Sequence, residues 1–342
     1  MIKFGLIGVG YWGPNLARNI NQVEGGSLSW VCDQSEKALA GICKNYSQVC
    51  TTASYEEMLR NSDVDAVVVA TPAGTHYEIA KACLDEGKHV LVEKPLAASS
   101  AECEDLIERA AWKNLVLMVG HTFLYSPPVL KLKEYVDAGE LGDIYYAYST
   151  RANLGQIRKD VNALWNLAPH DVSILLYLFD RVPVSVNAKG ISYIQEGIED
   201  VVFMYLDFPD RISAHVHLSW LDPGKIRKMT VVGSQKMIVY DDANADAKIQ
   251  IYDKGVTKVS NSGAETFGNF GEFQLLLRAG DVHIPKIAAT EPLKLECQHF
   301  ADCIKNGTKP RTDGVHGKQV VQVLEAAQKS LKSDGSPVEV GT

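Results

Sequence analysis

The first 120 residues alternate between short, almost continuously apolar runs and segments with the periodicity of amphipathic helices. Strands that are covered on both faces show such uniform runs, whereas half-exposed strands alternate apolar and polar residues. Repeated strand–helix units of this length predict an α/β domain with a doubly wound parallel sheet over residues 1–122. The apolar runs are Ile2–Ile7, Leu28–Cys32, Ala66–Ala70, His89–Val92 and Leu115–Val119.

The pattern changes after residue 122. Two prolines at positions 127 and 128 favour the start of a helix, which should end near Gly139. The alternating segment Ile144–Ala152 predicts a strand, and the strongly apolar stretch LWNLAPHDVSILLYLFD predicts a further helix.

Six segments between residues 183 and 253 have strand character and are separated by short linkers rich in Gly, Pro and Asp. They predict an antiparallel meander. Residues 255–290 have weak periodicity and predict a long loop, followed by two helices over 291–306 and 314–333. Residues 123–342 are therefore expected to form an α+β domain built on one sheet. Helices on one side leave the other face open, so we expect a second copy of the chain to cover it as a homo-oligomer.

Composition narrows the possible partners and the compartment. The net charge of −8 disfavours nucleic acid, because a phosphate backbone is bound by a basic face. The chain has no run of 18 apolar residues and no basic, cleavable leader, which predicts a cytoplasmic protein that does not bind membranes. The seven cysteines form no C-x-x-C pair, so we expect buried thiols and no metal site.

A glycine fingerprint follows the first apolar run. Gly8, Gly10 and Gly13 form a G-x-G-x-x-G pattern between a strand and a helix, which is the Rossmann context for binding a dinucleotide. Gly8 permits a tight turn, Gly10 lets the backbone approach a pyrophosphate, and Gly13 allows close helix–strand packing. The helix N-terminus offers N–H groups to the phosphates, and we expect Tyr11 and Trp12 to contact the cofactor from the same loop.

Asp33 ends the second predicted strand, twenty positions after Gly13. An acidic residue at this position holds the adenosine ribose hydroxyls and repels a 2′-phosphate. The nearest basic residue, Lys37, does not follow it directly, so NAD is favoured over NADP. Capping of the next helix is a second role that is open to Asp33.

Three more cofactor-binding candidates follow the next predicted strand, Ala66–Ala70. Thr71 and Pro72 lie at the carboxyl end of the sheet, where ligands bind in such folds, and Pro72 turns the chain there. His76 begins the next helix, and we favour a structural role for it over a catalytic one.

Lys94 follows the strand over His89–Val92 in the same way. Its ammonium group should reach the crevice where nicotinamide and substrate meet, and a cation there stabilises an alkoxide as hydride leaves. Pro95 fixes the turn that directs the side chain. An isolated lysine at a strand end would more simply be a surface residue.

Four segments together resemble the glucose–fructose oxidoreductase / inositol dehydrogenase / MocA (Gfo/Idh/MocA) family. They are GVGYWG, ATPAGTHYEIAKACLDEGKHVLVEKPLA, LAPHD and EPLKLECQHFADCIKNG. The resemblance implies a Rossmann domain followed by a domain with a large, mostly antiparallel sheet. It also implies oxidation or reduction of a carbinol on a sugar, cyclitol or nucleotide-linked sugar with NAD(P). In this family the lysine of the E-K-P element binds the reacting hydroxyl and assists proton transfer, which corresponds to Lys94, beside the cofactor-binding candidate Glu93.

His170 matches a histidine that the family carries on an apolar helix of the second domain. The resemblance implies that it takes the hydroxyl proton as hydride departs; without it, a core histidine would be the simpler interpretation. Four residues earlier the family often has an aspartate, whereas this chain has Asn166, which can orient a ring or a substrate hydroxyl but carries no charge. Pro169 is expected to interrupt the helix and to leave His170 on an exposed first turn.

Other residues are candidates for contacts with the substrate. Tyr125 could donate a proton, although packing is the favoured role. Arg151, Asn153 and Arg158 follow a strand that leads into the site, where arginines could bind phosphate or carboxylate through paired N–H groups. Surface salt bridges are an equal alternative for the two arginines.

The sequence is compatible with three functions. The first is an NAD-dependent oxidoreductase acting on C3 of a nucleotide-linked sugar such as UDP-N-acetylglucosamine, or alternatively on a free aldose or inositol. Arg151 and Arg158 should line the pocket if the substrate is a nucleotide-linked sugar, and face away from it if the substrate is a free aldose or inositol. The second function is an NAD-binding regulatory protein without turnover, because a fold alone does not determine activity. The third is an oxidoreductase that retains its nicotinamide and cycles between two sugars.

Overall fold

The first sheet confirms the predicted doubly wound architecture. The computed structural model describes residues 1–61, 63–155, 157–259 and 274–341. Within these ranges, six parallel strands pair in the order β3-β2-β1-β4-β5-β6. The strands are β1 (Ile2–Ile7), β2 (Gly26–Cys32), β3 (Cys50–Thr52), β4 (Ala66–Val69), β5 (His89–Glu93) and β6 (Leu117–Gly120). The order reverses between β1 and β4, so a ligand crevice is expected at the carboxyl ends of those strands.

Helices cover both faces of this sheet, which explains the uniform apolar runs. The helices are α1 (Gly13–Ile20), α2 (Glu36–Asn45), α3 (Tyr55–Leu59), α4 (His76–Asp85) and α5 (Ser100–Trp112). Ser99 and Glu102 form a capping box at the start of α5: each side chain accepts from the backbone N–H of the other residue. At the start of α3 only half of a capping box forms. The Ser54 hydroxyl accepts from the backbone N–H of Glu57, but the Glu57 carboxylate accepts from the hydroxyl of Thr52 and not from the Ser54 backbone.

The second sheet is mostly antiparallel, as expected. Its nine strands among the described residues pair in the order β14-β13-β12-β11-β7-β10-β9-β8-β15. They are β7 (Ile144–Ala152), β8 (Ser185–Ile191), β9 (Val201–Asp207), β10 (Ser213–Ser219), β11 (Ile226–Gly233), β12 (Met237–Asp241), β13 (Ile249–Val259), β14 (Gln274–His283) and β15 (Val338–Glu339).

Two features of the second sheet differ from the prediction. First, β7 lies between β10 and β11, parallel to β10 and antiparallel to β11, so the meander is split into two parts. Alternation along a strand shows which face is buried but does not determine which strand lies beside it. Second, the long loop predicted over 255–290 is wrong in part. β13 continues to Val259 and β14 forms a hairpin arm with it, while residues 260–273 lie outside the described residues.

Four helices complete the second half of the chain as it is described: α6 (Pro127–Asp137), α7 (Ala163–Phe179), α8 (Pro292–Asn306) and α9 (Gly314–Lys332). α7 and α9 share a hydrophobic core with the inner face of the second sheet. α8 returns to the first sheet, where Phe300 packs with Phe4 and Leu16. Arg18 on α1 and Glu291, directly before α8, form a paired ion bridge at 2.7 and 2.9 Å. The division of the chain at residue 122 remains a prediction.

α7 runs without a break through Pro169, so the predicted interruption is wrong. Asn162 caps the helix by accepting from the backbone N–H of Trp165 at 3.1 Å. Pro169 itself is buried, as are Ala168 and Val172 around it. Burial of this apolar helix offsets the one backbone hydrogen bond that a proline removes. His170 therefore lies in the middle of a continuous helix and is only partly exposed.

The outer face of the second sheet carries exposed aromatic side chains. Tyr146, Tyr148, Phe203 and Tyr205 are 39–46% exposed on β7 and β9. None of the helices in the described part of the chain has the length and apolar character needed to cross a membrane.

Candidate active site

The glycine loop is tight at two positions and open at the third. Gly8 has φ +96°, and a Cβ there would lie 2.6 Å from the backbone oxygen of Ala70. A Cβ at Gly13 would lie 2.6 Å from the backbone oxygen of Gly8, whereas a Cβ at Gly10 would meet no heavy atom of the described residues within 4 Å. The N–H groups of Gly10, Tyr11 and Trp12 find no acceptor among those residues. The loop thus has the shape and the free donors that a dinucleotide pyrophosphate requires.

Tyr11 and Trp12 both project from this loop into solvent. Their rings meet edge to face, with centroids 5.8 Å apart. An exposed aromatic pair beside free N–H groups fits the predicted cofactor contact, and neither residue has a role in the core.

Asp33 is held against the same loop. One carboxylate oxygen accepts from the N–H of Val9 at 2.6 Å and the other from the N–H of Ser35 at 2.7 Å. Ser35, and not Asp33, caps the following helix, because its hydroxyl accepts from Ala38. The alternative capping role for Asp33 is therefore wrong, and its carboxylate is fixed at the carboxyl end of β2.

The loop after β4 brings Thr71, Pro72 and His76 to the same edge of the sheet. Pro72 is exposed, and the hydroxyl of Thr71 accepts from that of Thr75 at 2.8 Å. His76 is only 1% exposed, and its ring lies between the backbone oxygens of Thr71 and Pro95. The ring is enclosed by protein, which supports the structural role and not a direct contact with cofactor.

Lys94 extends from the end of β5 towards α7. Its Nζ donates to the backbone oxygen of Asn166 at 3.3 Å and makes no second hydrogen bond within the described part of the chain. Burial lowers the pKa of Lys94; the Glu93 carboxylate opposes this, and the cations of Arg158 and Arg151 add to it. Its two remaining protons are available to a substrate oxygen.

Two carboxyl groups, those of Glu93 and Glu296, act on each other near the end of β5, and the sequence did not predict Glu296. Glu93 packs on Gly120, where a Cβ would lie 3.3 Å from its Oε1. Glu296 of α8 is completely buried; its Oε2 accepts from the hydroxyl of Thr122 at 2.8 Å, and its Oε1 has no partner among the described residues. Burial raises the pKa of Glu296 well above the usual range, and the Glu93 carboxylate adds to this. Burial also raises the pKa of Glu93, opposed by Lys94.

His121 is the other unpredicted member of this region. It follows β6 as Lys94 follows β5, it is buried, and neither ring nitrogen has a partner within the described ranges. Its ring meets that of His316 edge to face at 5.4 Å. The position directly after a buried parallel strand is a signal that would have found His121. For Glu296, the signal is a carboxylate on the apolar face of α8, next to Cys297.

His170 is oriented by packing and not by a hydrogen-bonding side chain. Its ring meets Phe123 edge to face at 5.1 Å, and its buried Nδ1 has no partner in the described structure. The side-chain oxygen of Asn166 instead accepts from the indole N–H of Trp220 at 3.1 Å. Burial lowers the pKa of His170 well below its ordinary value, and the cations of Lys94 and Arg151 lower it further. The ring is therefore neutral near pH 7.

The predicted substrate-binding residues divide into two groups. Arg151 is buried beside the site: it pairs with Asp171 at 2.5 Å and lies over the Phe123 ring at 4.7 Å. Arg158 pairs with Asp160 at 2.5 and 2.9 Å near the surface, as the salt-bridge alternative predicted.

Asn153 and Tyr125 lie in different surroundings. Asn153 is partly exposed after β7, and its backbone N–H donates to Ser219 at 3.2 Å. Tyr125 lies in the core, 1% exposed, with its hydroxyl 3.0 Å from that of Thr312. Burial raises the pKa of Tyr125, so it holds its proton firmly. Its burial supports the packing role that the sequence favoured, and not the alternative contact with substrate.

Comparisons with known proteins agree with this geometry. Residues 2–121 match the family model for the oxidoreductase family with an NAD-binding Rossmann fold, and residues 129–239 match the Gfo/Idh/MocA C-terminal domain. The scyllo-inositol 2-dehydrogenase (NAD(+)) of Bacillus subtilis is 26% identical over 99% of this chain and 96% of its own length. An oxidoreductase of Streptococcus pneumoniae is also 26% identical, but the match spans 62% of this chain and only 60% of that protein.

Among solved structures, UDP-N-acetylglucosamine 3-dehydrogenase GnnA from Acidithiobacillus ferrooxidans superposes with a TM-score of 0.80 at 23% identity. The match covers 97% of this chain and 98% of that one, and shows that the two share the whole fold. The two family models cover the Rossmann sheet with Lys94 and the helix with His170. The chain is an oxidoreductase with an NAD-binding Rossmann domain and belongs to the Gfo/Idh/MocA family.

Proposed function

We propose that this protein is an NAD-dependent dehydrogenase that oxidises a secondary alcohol of a cyclic polyol or sugar, or reduces the corresponding ketone. The observation that carries the proposal is the convergence of Lys94 and the helix of His170. The reaction needs a cation that donates to the reacting oxygen and a neutral base that accepts its proton, and Lys94 and His170 supply these two groups.

Each residue has a separate role in this proposal. The Gly8–Gly13 loop and Asp33 hold NAD, which supplies the hydride acceptor when it is bound. Lys94 donates to the reacting oxygen and stabilises negative charge as it develops there. His170 accepts the hydroxyl proton at Nε2, because its Nδ1 is buried. The free Nδ2 group of Asn166 is positioned to donate to a neighbouring hydroxyl, since its Oδ1 is engaged by Trp220.

The two arginines favour a neutral substrate. A diphosphate needs guanidinium groups with free N–H donors that face the pocket. Arg151 is buried with Asp171, and Arg158 is paired with Asp160. A free cyclitol or sugar is therefore our first candidate, and it is supported by the likeness to scyllo-inositol 2-dehydrogenase along almost the whole chain.

A nucleotide-linked sugar such as UDP-N-acetylglucosamine is the second candidate. The Arg158 side chain is 38% exposed, and its charge acts on Lys94. A diphosphate could replace Asp160 as its partner at modest cost, because exposed ion pairs contribute little stability.

The aromatic outer face of the second sheet supports a homo-oligomer. Tyr146 and Tyr148 on β7 and Phe203 and Tyr205 on β9 are exposed on either side of β10, which lies between these two strands. Exposed apolar patches of this kind mark interaction surfaces. A second copy related by a two-fold axis would cover them symmetrically.

The test is absorbance of reduced nicotinamide with purified protein, NAD or NADP, and a panel of alcohols. The panel holds scyllo-inositol, myo-inositol, glucose and UDP-N-acetylglucosamine. We expect reduction of NAD in preference to NADP with a cyclitol or free sugar. Exclusive use of the nucleotide sugar would select the second candidate. The proposal would be contradicted if protein shown to be free of retained nicotinamide bound NAD but no alcohol reduced it. That result would favour a regulatory role.

A further inference from the structure

We infer that His76 is a positioning residue, which links the loop after β4 to the loop after β5 and thereby sets the position of Lys94. The inference deepens the proposed function and rests on it for the role of Lys94. No contact of His76 with substrate or cofactor is involved, because its ring is enclosed.

The geometry of the link is direct. The Nδ1 atom of His76 lies 2.7 Å from the backbone oxygen of Pro95, and its Nε2 lies 2.9 Å from the backbone oxygen of Thr71. Pro95 follows Lys94 in the chain, and Thr71 is in the predicted cofactor loop. One imidazole ring therefore spans the two loops between which nicotinamide and substrate are expected to meet.

Both partners are carbonyl oxygens, which only accept hydrogen bonds. A neutral imidazole carries one N–H and can donate to one of them, whereas the imidazolium can donate to both. The link therefore has two forms, with one hydrogen bond or with two, and they differ by a single proton.

Opposing interactions set the balance between these forms. Burial lowers the pKa of His76, the two carbonyl contacts oppose this, and the Lys94 cation lowers it as well. Among the described residues, Lys94 is the one charged group that acts on the His76 ring. The neutral ring with one hydrogen bond thus prevails at neutral pH, and the second bond forms as the pH falls below the ordinary histidine range.

Packing alone does not account for this arrangement. A buried histidine that only fills space needs one acceptor for its single N–H, whereas here each nitrogen faces a backbone oxygen of a different loop. A phenylalanine would fill the same space without donating. A glutamine would keep one donor group within reach of one carbonyl. The two variants therefore separate volume from hydrogen bonding.

His89 offers a matched control on the opposite end of β5. Its Nδ1 accepts from the backbone N–H of Val116 at 2.9 Å, so it also bonds to main chain, but at the edge of the sheet away from Lys94. Substitution of His89 by glutamine should change thermal stability alone.

The experiment compares wild type, His76→Phe, His76→Gln and His89→Gln. It measures kcat and KM for the alcohol, NADH affinity by fluorescence, and the imidazole 15N–1H signals of His76 from pH 5 to 8. We expect His76→Phe to lower kcat on the order of 10–100-fold, as a misplaced catalytic group does. His76→Gln should recover most of the lost kcat, and His89→Gln should have the kcat of wild type. In wild type, one protected N–H signal should become two as the pH falls.

Two results would overturn the inference. One is a folded His76→Phe enzyme with unchanged kcat and NADH affinity. The other is equal losses in the Phe and Gln variants that track thermal stability only. If wild type reduces NAD with no alcohol, the proposed function fails, but the 15N signals and NADH affinity still decide whether the link exists.

Discussion

The ammonium group of Lys94 donates a hydrogen bond to the backbone oxygen of Asn166, 3.3 Å away. This contact joins the end of β5, which lies in the match to the Rossmann family model, to the helix α7, which lies in the match to the C-terminal family model. His170 lies four residues after Asn166 and so projects from the same side of the helix. Lys94 and His170, which are 76 positions apart in the chain, are thereby brought to one site.

Replacing Lys94 by methionine should lower kcat/KM by roughly 10²–10³-fold, since a preorganised donor to the developing alkoxide is lost. NADH affinity should change much less, because the glycine loop is untouched. Steady-state kinetics and NADH fluorescence measure the two effects. Lys88→Met is the control, because Lys88 also donates to backbone oxygens, those of Asn61 and Val64, but at the far end of β5. Full activity in Lys94→Met would remove this residue from the mechanism.

The pH dependence of alcohol oxidation should report His170. The neutral ring accepts the proton, and burial with nearby cations holds the pKa of His170 well below the ordinary value of 6.5. The base is therefore already available below that pH, so kcat/KM should stay high as pH falls through 6.5 and decline only at lower pH. His170→Gln should lose about 10²–10⁴-fold in kcat/KM. An acid limb centred above 6.5 in wild type would show that His170 is not the base.

The first sheet was predictable from the sequence because its strands are apolar on both faces. Each of the five predicted runs corresponds to a strand, and only the three-residue edge strand β3 was missed. The pairing of β7 between β10 and β11 was not predictable, because alternation within one strand carries no information about its neighbours. Pro169 was misleading for a related reason: local propensity favours a break, whereas tertiary burial of α7 maintains the helix.

The candidate site was predictable where function follows a strand end or a motif. Gly8, Asp33 and Lys94 lie at the carboxyl edge of the sheet, as their positions in the sequence indicated. His170 depended on the family resemblance, because a histidine on an apolar helix is otherwise an ordinary core residue. Glu296 is 202 positions from Lys94 and reaches the site only through the return of α8 to the first sheet.

Asp33→Asn should weaken the preference for NAD over NADP. The amide keeps one oxygen that can accept from the Val9 N–H, so the loop geometry is largely preserved while the charge is lost. One charge-assisted hydrogen bond of about 1.5 kcal/mol corresponds to roughly a tenfold fall in the ratio of kcat/KM values for the two cofactors. The ratio is measured with the same alcohol for both. An unchanged ratio would show that Asp33 does not select the cofactor.

Glu296→Gln should stabilise the protein at higher pH. The pKa of Glu296 is raised well above its ordinary value of 4.5 in the folded state, so the folded protein keeps this proton when the unfolded chain has released it. This difference lowers the stability of wild type progressively as the pH rises above 4.5. Glutamine has no proton to lose, so the gap in Tm between variant and wild type should widen from pH 4.5 upwards. A gap that is constant with pH would show that Glu296 ionises normally.

Breaking the buried Arg151–Asp171 pair should be costly for stability. Both side chains are about 5% exposed and the pair closes at 2.5 Å, so removing either partner leaves an uncompensated charge in the interior. Arg151→Met should lower the free energy of unfolding by about 3–5 kcal/mol, and Arg151→Met combined with Asp171→Leu should recover most of it. Urea denaturation measures both, with Arg158→Met as the control because its partner Asp160 is exposed and the pair is worth about 0–1 kcal/mol. Equal losses for Arg151→Met and Arg158→Met would show that the inner pair contributes no more than a surface one.

Arg151→Met also removes one of the cations that lower the pKa of His170, so the acid limb of its oxidation profile should move to higher pH. A stable double variant with this shifted limb would assign to Arg151 both a structural and an electrostatic role in the site.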